Sequence, residues 1–177
     1  MIVVQTQRLM LRHATADDAA FVLRLLNEPS FLRFIGDRGV RTLDDARGYI
    51  TERFIGSYER HDFGMWVVER RDAPGPIGIS GLVKRDTLPE PDIGFAFLPE
   101  HWARGYALES ALAVRDFAFR ALRLPRLLAI ADQDNAPSIR LLERLGMSLA
   151  ERRPLSEGAS PVCVFGLEAP VEPSADR

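Results

Sequence analysis

A chain of 177 residues suits one domain, since domains commonly hold about 100–200 residues, and 46% hydrophobic residues supply a core and exclude global disorder. The formal net charge of −2, with acids and bases mixed along the chain, argues against a nucleic-acid surface or an anionic-membrane binder. A single cysteine, Cys163, excludes an internal disulfide, and the chain shows neither a signal-peptide core nor an apolar run near the ~20 residues of a membrane span, so a soluble cytoplasmic protein is the expectation.

Gln5 to His13 reads as one half-buried strand, with Leu9 and Leu11 alternating with Arg8, Met10 and Arg12. Thr15 caps a first helix with Asp17 and Asp18 in its first turn, and Asn27-Glu28-Pro29 ends it. Phe31 to Val40 reads as irregular. A second helix runs from the Thr42 cap to about Arg60, and Ala46, Tyr49, Ile50, Arg53 and Phe54 trace its packing side. Three strands follow, over 63–70, 76–84 and 92–98. In the third, Ile93, Phe95 and Phe97 point one way, while Gly94 and Ala96 leave a bare face that a ligand or another backbone can approach.

The central stretch is Pro99 to Leu122. Apolar residues at 107, 111, 114, 118 and 122 give one face of an amphipathic helix. The turn before it contains Ala103, Arg104 and Gly105. A helix start offers unpaired N–H groups and a positive dipole end, so this turn favours an anion. Arg126 to Ala131 is a buried strand, and strand–helix–strand implies a crossover with parallel strands. Asn135 caps a last helix that Gly146 stops. Two strands, over 147–152 and 162–167, close the domain, and residues 169–177 form a tail expected to fray. The three histidines and Cys163 lack metal-ligand spacing, and there is no Gly-x-Ser-x-Gly elbow, Walker loop or Gly-x-Gly-x-x-Gly turn.

Two segments together resemble one family. Gly94-Phe95-Ala96-Phe97-Leu98-Pro99-Glu100-His101-Trp102-Ala103-Arg104-Gly105-Tyr106-Ala107-Leu108-Glu109-Ser110 resembles the acetyl-CoA-binding segment of GCN5-related N-acetyltransferases, and Asn135 to Met147 resembles their later helix. Thr6 to Arg12 is similar to the opening of the branch that includes ribosomal-protein N-terminal acetyltransferases. The resemblance covers roughly residues 5 to 168. It implies one mixed α/β domain over 1–168, with a mostly antiparallel twisted sheet, one splayed parallel strand pair and flanking helices. It implies acetyl-CoA as cosubstrate. Its pyrophosphate is expected on the backbone of Ala103, Arg104, Gly105, Tyr106 and Ala107, beside Trp102. Pantetheine is expected along the strand ending at Phe97 and Leu98, with Asn135 as a further contact beyond its capping role.

The reaction needs a neutral amine beside the thioester, donors for the oxyanion and a proton for the departing thiolate. The family's usual tyrosine and glutamate fall at Leu142 and Ile130 here, so both are missing. Ser138, one turn before Leu142, is the substitute proton donor that the branch implies; its other reading is a serine bonded to the first helical turn. Asp92, Glu100 and His101 are candidate bases, though orientation alone can supply ~7–11 kcal/mol of the barrier. Glu109 reads as structural. The expected activity is acetyl transfer from acetyl-CoA to a primary amine, on a protein N-terminus or a small molecule, without metal, nucleic acid or membrane; a homodimer is compatible with it. The rival is a non-catalytic acyl-CoA-binding or sensor domain, which the two missing residues favour.

Overall fold

The computed structural model describes residues 1–171; most of the expected tail, 172–177, lies outside the described residues. Eight strands form one sheet: β1 (Ile2–Gln5), β2 (Leu9–Arg12), β3 (Met65–Arg70), β4 (Pro76–Val83), β5 (Asp92–Phe97), β6 (Arg126–Ala131), β7 (Ser148–Arg153) and β8 (Val162–Glu168). Their order across the sheet is β1-β2-β3-β4-β5-β6-β8-β7. Every neighbouring pair is antiparallel except β5 and β6, which the crossover helix α5 (Tyr106–Arg120) joins in parallel.

The helices α1 (Ala19–Leu26), α2 (Pro29–Phe34), α3 (Leu43–Tyr49), α4 (Gly56–His61) and α6 (Ala136–Arg144) complete the fold. The two faces of the sheet are told apart by alternation along β3. Trp66 meets Phe117 of α5 edge-on, with ring centroids 5.2 Å apart. Its neighbour Met65 therefore lies on the other face. The α4 side chain of Tyr58 crowds Gly64 beside Met65, and its hydroxyl donates to the Met65 carbonyl. The hydroxyl also accepts from Ala14 N–H, while burial pushes its pKa up to about 12. His13 stacks on the same ring at 4.0 Å. The α5 face is closed by the fully buried Ala111, Val114 and Ala118.

Three elements differ from the sequence reading. The expected strand over 5–13 is a hairpin: β1 pairs with β2, and Thr6 bonds to Leu9 to close the turn. The segment expected to be irregular begins with α2, because Pro29 starts a new helix at its first turn, where a missing N–H costs nothing. The second helix is not α-helical throughout. Its middle, Ile50–Ile55, is a π-helix. The cause is visible in the buried row Ala46, Ile50, Phe54 and Tyr58, all four residues apart. On a 3.6-residue helix each such step drifts by about 40°, and a wider turn keeps the row on the sheet. This unwinding also turns Arg53 outward, so it is exposed and not part of the packing side.

Among the described residues no helix is long and apolar enough to cross a membrane.

Candidate active site

The site begins where a strand ladder stops. β5 and β6 pair only at Asp92↔Leu128 and Ile93↔Ala129. Beyond them the strands are unpaired, and Gly94 to Phe97 on one side and Ile130 and Ala131 on the other line a cleft of about 1370 Å³. Leu98 N–H donates to Ile77 on the β4 side at 3.0 Å. Alternation then points the backbone groups of Phe95 and Phe97 into the gap. The Phe97 carbonyl is already taken, at 2.7 Å, by the indole N–H of Trp102. The sequence reading placed Trp102 beside the expected pyrophosphate; its grip on the strand end was not legible there. Gly94 and Ala96 share a face with Met65, whose sulfur would lie 3.5 Å from a Cβ at position 94. The bare face therefore points away from α5.

The turn into α5 sits at one end of this cleft. Ala103 and Gly105 both have positive φ, 56° and 80°. This double reversal aims successive N–H groups outward, the geometry of an anion-binding concavity. The first free helical N–H groups, on Tyr106, Ala107 and Leu108, follow directly, and no side chain caps them. Arg8 braces the turn from behind. It donates to the Arg104 carbonyl at 2.9 Å, lies 4.7 Å over the Tyr106 ring and pairs with Glu109 at 2.6 Å. Glu109 also accepts from Thr6 Oγ1 at 2.6 Å and from Arg8 N–H at 2.9 Å. Burial alone would raise the Glu109 pKa, but these bonds outweigh it and hold the carboxylate below its usual range. Glu109 is structural, as the sequence reading has it.

Of the ten sequence-derived site residues, Phe97, Trp102, Ala103, Gly105, Tyr106, Ala107, Asn135 and Ser138 line the one cleft. Leu98 does not; it is buried in the core. Arg104 lies outside the wall, its carbonyl turned to Arg8. On the β6–α6 side, Asn135 Oδ1 accepts from Ser138 N–H at 3.3 Å and caps α6. The Ser138 hydroxyl makes no hydrogen bond among the described residues, so it is not spent on the first helical turn. Leu142 is turned into the core, and Ile130 is on the cleft wall.

The three candidate bases separate sharply. Glu100 is at the rim, exposed and paired with Arg24 at 2.8 Å; its own backbone N–H and that arginine hold its pKa low. His101 lines the cleft with its Nδ1 buried and without a partner among the described residues, and burial pushes its pKa down. Asp92 is only 1% exposed, on the first of the two rungs that precede the opening of the ladder. Burial raises its pKa, and Arg85 Nε at 2.9 Å offsets part of that rise. The opposite wall is built by α2, the loop after it and the π-helix, with Phe34, Arg38, Tyr49, Glu52 and Arg53 facing the cleft. Among the described residues no group of three or more His, Cys, Asp or Glu could hold a metal ion.

Comparison with known proteins gives a consistent result. The family model described as an acetyltransferase (GNAT) domain matches residues 8–148. The uncharacterised N-acetyltransferase YoaA of Bacillus subtilis is 32% identical over 147 residues, covering 81% of this chain and 81% of that protein. The crystal structure of an acetyltransferase from Agrobacterium tumefaciens is 25% identical, with a TM-score of 0.77 and 93% of each chain covered. A structure of the ribosomal L7/L12 α-N-protein acetyltransferase RimL, in complex with coenzyme A, shares the fold at a TM-score of 0.81 and 16% identity, covering 95% of this chain and 98% of that one.

Proposed function

The chain belongs to the acetyltransferase (GNAT) family, and from that premise we propose that it transfers an acetyl group from acetyl-CoA to a primary amine, on a protein N-terminus or a small molecule, by direct attack. Acetyl-CoA, when bound, supplies an activated carbonyl and a thiolate leaving group. The observation that carries the reading is the interrupted β5–β6 ladder, whose free backbone edge runs straight to an uncapped helix start. That edge suits an amide-containing arm laid down as an extra strand. The N–H groups from Ala103 to Ala107 suit a pyrophosphate.

In this reading the residues divide the work. The unpaired backbone groups of Phe95 and the N–H of Phe97 orient the pantetheine arm, and Trp102 and Asn135 border it. Asp92 takes the proton that an ammonium must lose before it can attack. The free Ser138 hydroxyl relays to the departing sulfur the proton that the nitrogen sheds as it becomes an amide, giving its own proton to the thiolate as it takes up that one. The sheet face away from α5 is left open for the amine.

The direct test is ligand-linked stability. Acetyl-CoA at 100 times its dissociation constant should add about 2.7 kcal/mol, since it binds only the folded chain. In a domain of this size the melting temperature should rise by about 5–10 °C. A folded sample with no shift would overturn the reading. Thiol release with a panel of primary amines then separates transfer from mere binding. Gly105→Val should weaken acetyl-CoA binding by ~10-fold or more, because a β-branched residue does not tolerate φ of 80° and the turn's N–H groups would swing away. Calorimetry showing unchanged affinity would move the pyrophosphate off this turn.

A further inference from the structure

The charges on the acceptor side of the cleft carry information about what the amine is attached to. Many arginines of the protein hold carboxylates, Arg8, Arg12, Arg24, Arg41 and Arg70 for example. Among the described residues, Arg60, Arg140 and Arg144 of the cleft hold none, and neither do Arg38 and Arg53. Both line the cleft, both are exposed, and neither has a hydrogen bond or ion pair among the described residues. Glu52 is the one acid beside them without a partner. Lys84, also in the lining, donates to the carbonyls of Leu88 and Pro89 and pairs with no carboxylate among the described residues, while Arg85 and Asp92 pair with each other. The wall is therefore cationic in a protein whose formal net charge is −2.

A free arginine fork is matched by a carboxylate or phosphate, which it binds through two parallel hydrogen bonds. The proposed pyrophosphate turn lies at the start of α5. The π-helix, which carries Arg53, lies with α4 over the other face of the sheet, and Arg38 is in the loop after α2 that builds the same wall, so these two arginines are placed for the acceptor, not for the cosubstrate. The aromatic rings of Phe34 and Tyr49 stand beside them.

Resting on the acetyl-transfer reading, we propose that the acceptor amine belongs to a molecule bearing a carboxylate or another anionic group, and that Arg38 and Arg53 receive that group. The anion fixes the molecule at the rim and leaves its amine pointing down the bare face of β5 toward Asp92.

The test compares amines with and without the anionic group, each rate being expressed per neutral amine because an amide also lowers the basicity of its neighbouring amine. One pair is phenylalanine and phenylalaninamide. The other is an N-terminally free Ser-Asp-Asp amide and its Ser-Asn-Asn counterpart, so the pairs distinguish a free amino acid from an acidic peptide. The anionic member of at least one pair should show a kcat/KM about tenfold higher or more, as expected for a charge-assisted bond. Arg53→Glu and Arg38→Glu should each abolish or invert that preference, with the change in KM. Calorimetry of the same amines on the coenzyme A complex gives the comparison without turnover. Equal values within both pairs would overturn the proposal. So would a preference that survives both substitutions, or substitutions that weaken acetyl-CoA binding instead. Coenzyme A binding with no acetylation of any amine would instead count against direct transfer, while the calorimetric comparison would still decide the anion question.

Discussion

Asp92→Asn should lower kcat/KM by about 10²- to 10⁴-fold, the range for loss of a general base. The substitution keeps the shape of a side chain that is only 1% exposed and removes its ability to take a proton. The pH profile carries the sharper prediction. Burial raises the Asp92 pKa despite Arg85, so the wild-type acidic limb should lie above the ordinary carboxylate value near ~3.9. Activity falls as pH drops through that limb, and the limb should vanish in the variant. The stability sign runs the other way. A carboxyl whose folded pKa is raised contributes stability below its unfolded pKa and loses it as pH rises through the folded pKa. At neutral pH the ionised Asp92 therefore costs stability, and Arg85, 28% exposed, can reach water when its partner becomes neutral. Asp92→Asn should melt no lower than wild type at pH 7. A variant that keeps both the acidic limb and the turnover would make Asp92 a structural partner of Arg85 and nothing more.

Ser138→Ala should reduce turnover by ~10²-fold with acetyl-CoA affinity nearly unchanged, because a proton given to the leaving thiolate matters mainly in the transition state. Two observations make this a clean experiment. The Ser138 hydroxyl has no partner among the described residues, so its removal leaves no group unsatisfied. The cap of α6 uses Ser138 N–H and Asn135 Oδ1, both of which alanine leaves in place. Helix stability should not change. Lost affinity with retained turnover would make Ser138 a cosubstrate contact, and an unaltered turnover number on the best acceptor would remove it from the mechanism.

Much of this site could be read from the sequence because its parts are local. The uncapped start of α5, the glycine in its turn and the Asn135 cap each depend on a few consecutive residues. The regular strands β3 to β6 were legible for the same reason. What escaped depends on partners distant in sequence or on a period that does not match a regular helix. Ile2 to Gln5 becomes a strand only because β2 is there to pair with it. Arg53 looked like part of a packing face on a 3.6-residue wheel; the four-residue row of Ala46, Ile50, Phe54 and Tyr58 unwinds the helix and turns it to the cleft. The Trp102 indole reaches back to the Phe97 carbonyl over the single 3₁₀ turn Pro99–His101, a contact that no strand or helix periodicity describes. The burial of Asp92 was equally hidden: the three residues before it, Pro89, Glu90 and Pro91, are polar or proline, and the strands that enclose it are distant in sequence.

The brace behind the turn ties the order of synthesis to the appearance of binding. Thr6 and Arg8 hold Glu109 across separations of 103 and 101 residues. The hairpin that carries them leaves the ribosome early and has nothing to clasp until the middle of the chain has followed. Closing so long a loop is an entropic cost that local helix formation does not meet. Until it closes, α5 can coil without its entry turn being held in place. Affinity for coenzyme A is then a report on assembly: a chain with native helix content but an undocked first hairpin should fail to bind, and capture on an immobilised coenzyme would sort finished molecules from those still missing their longest-range contact.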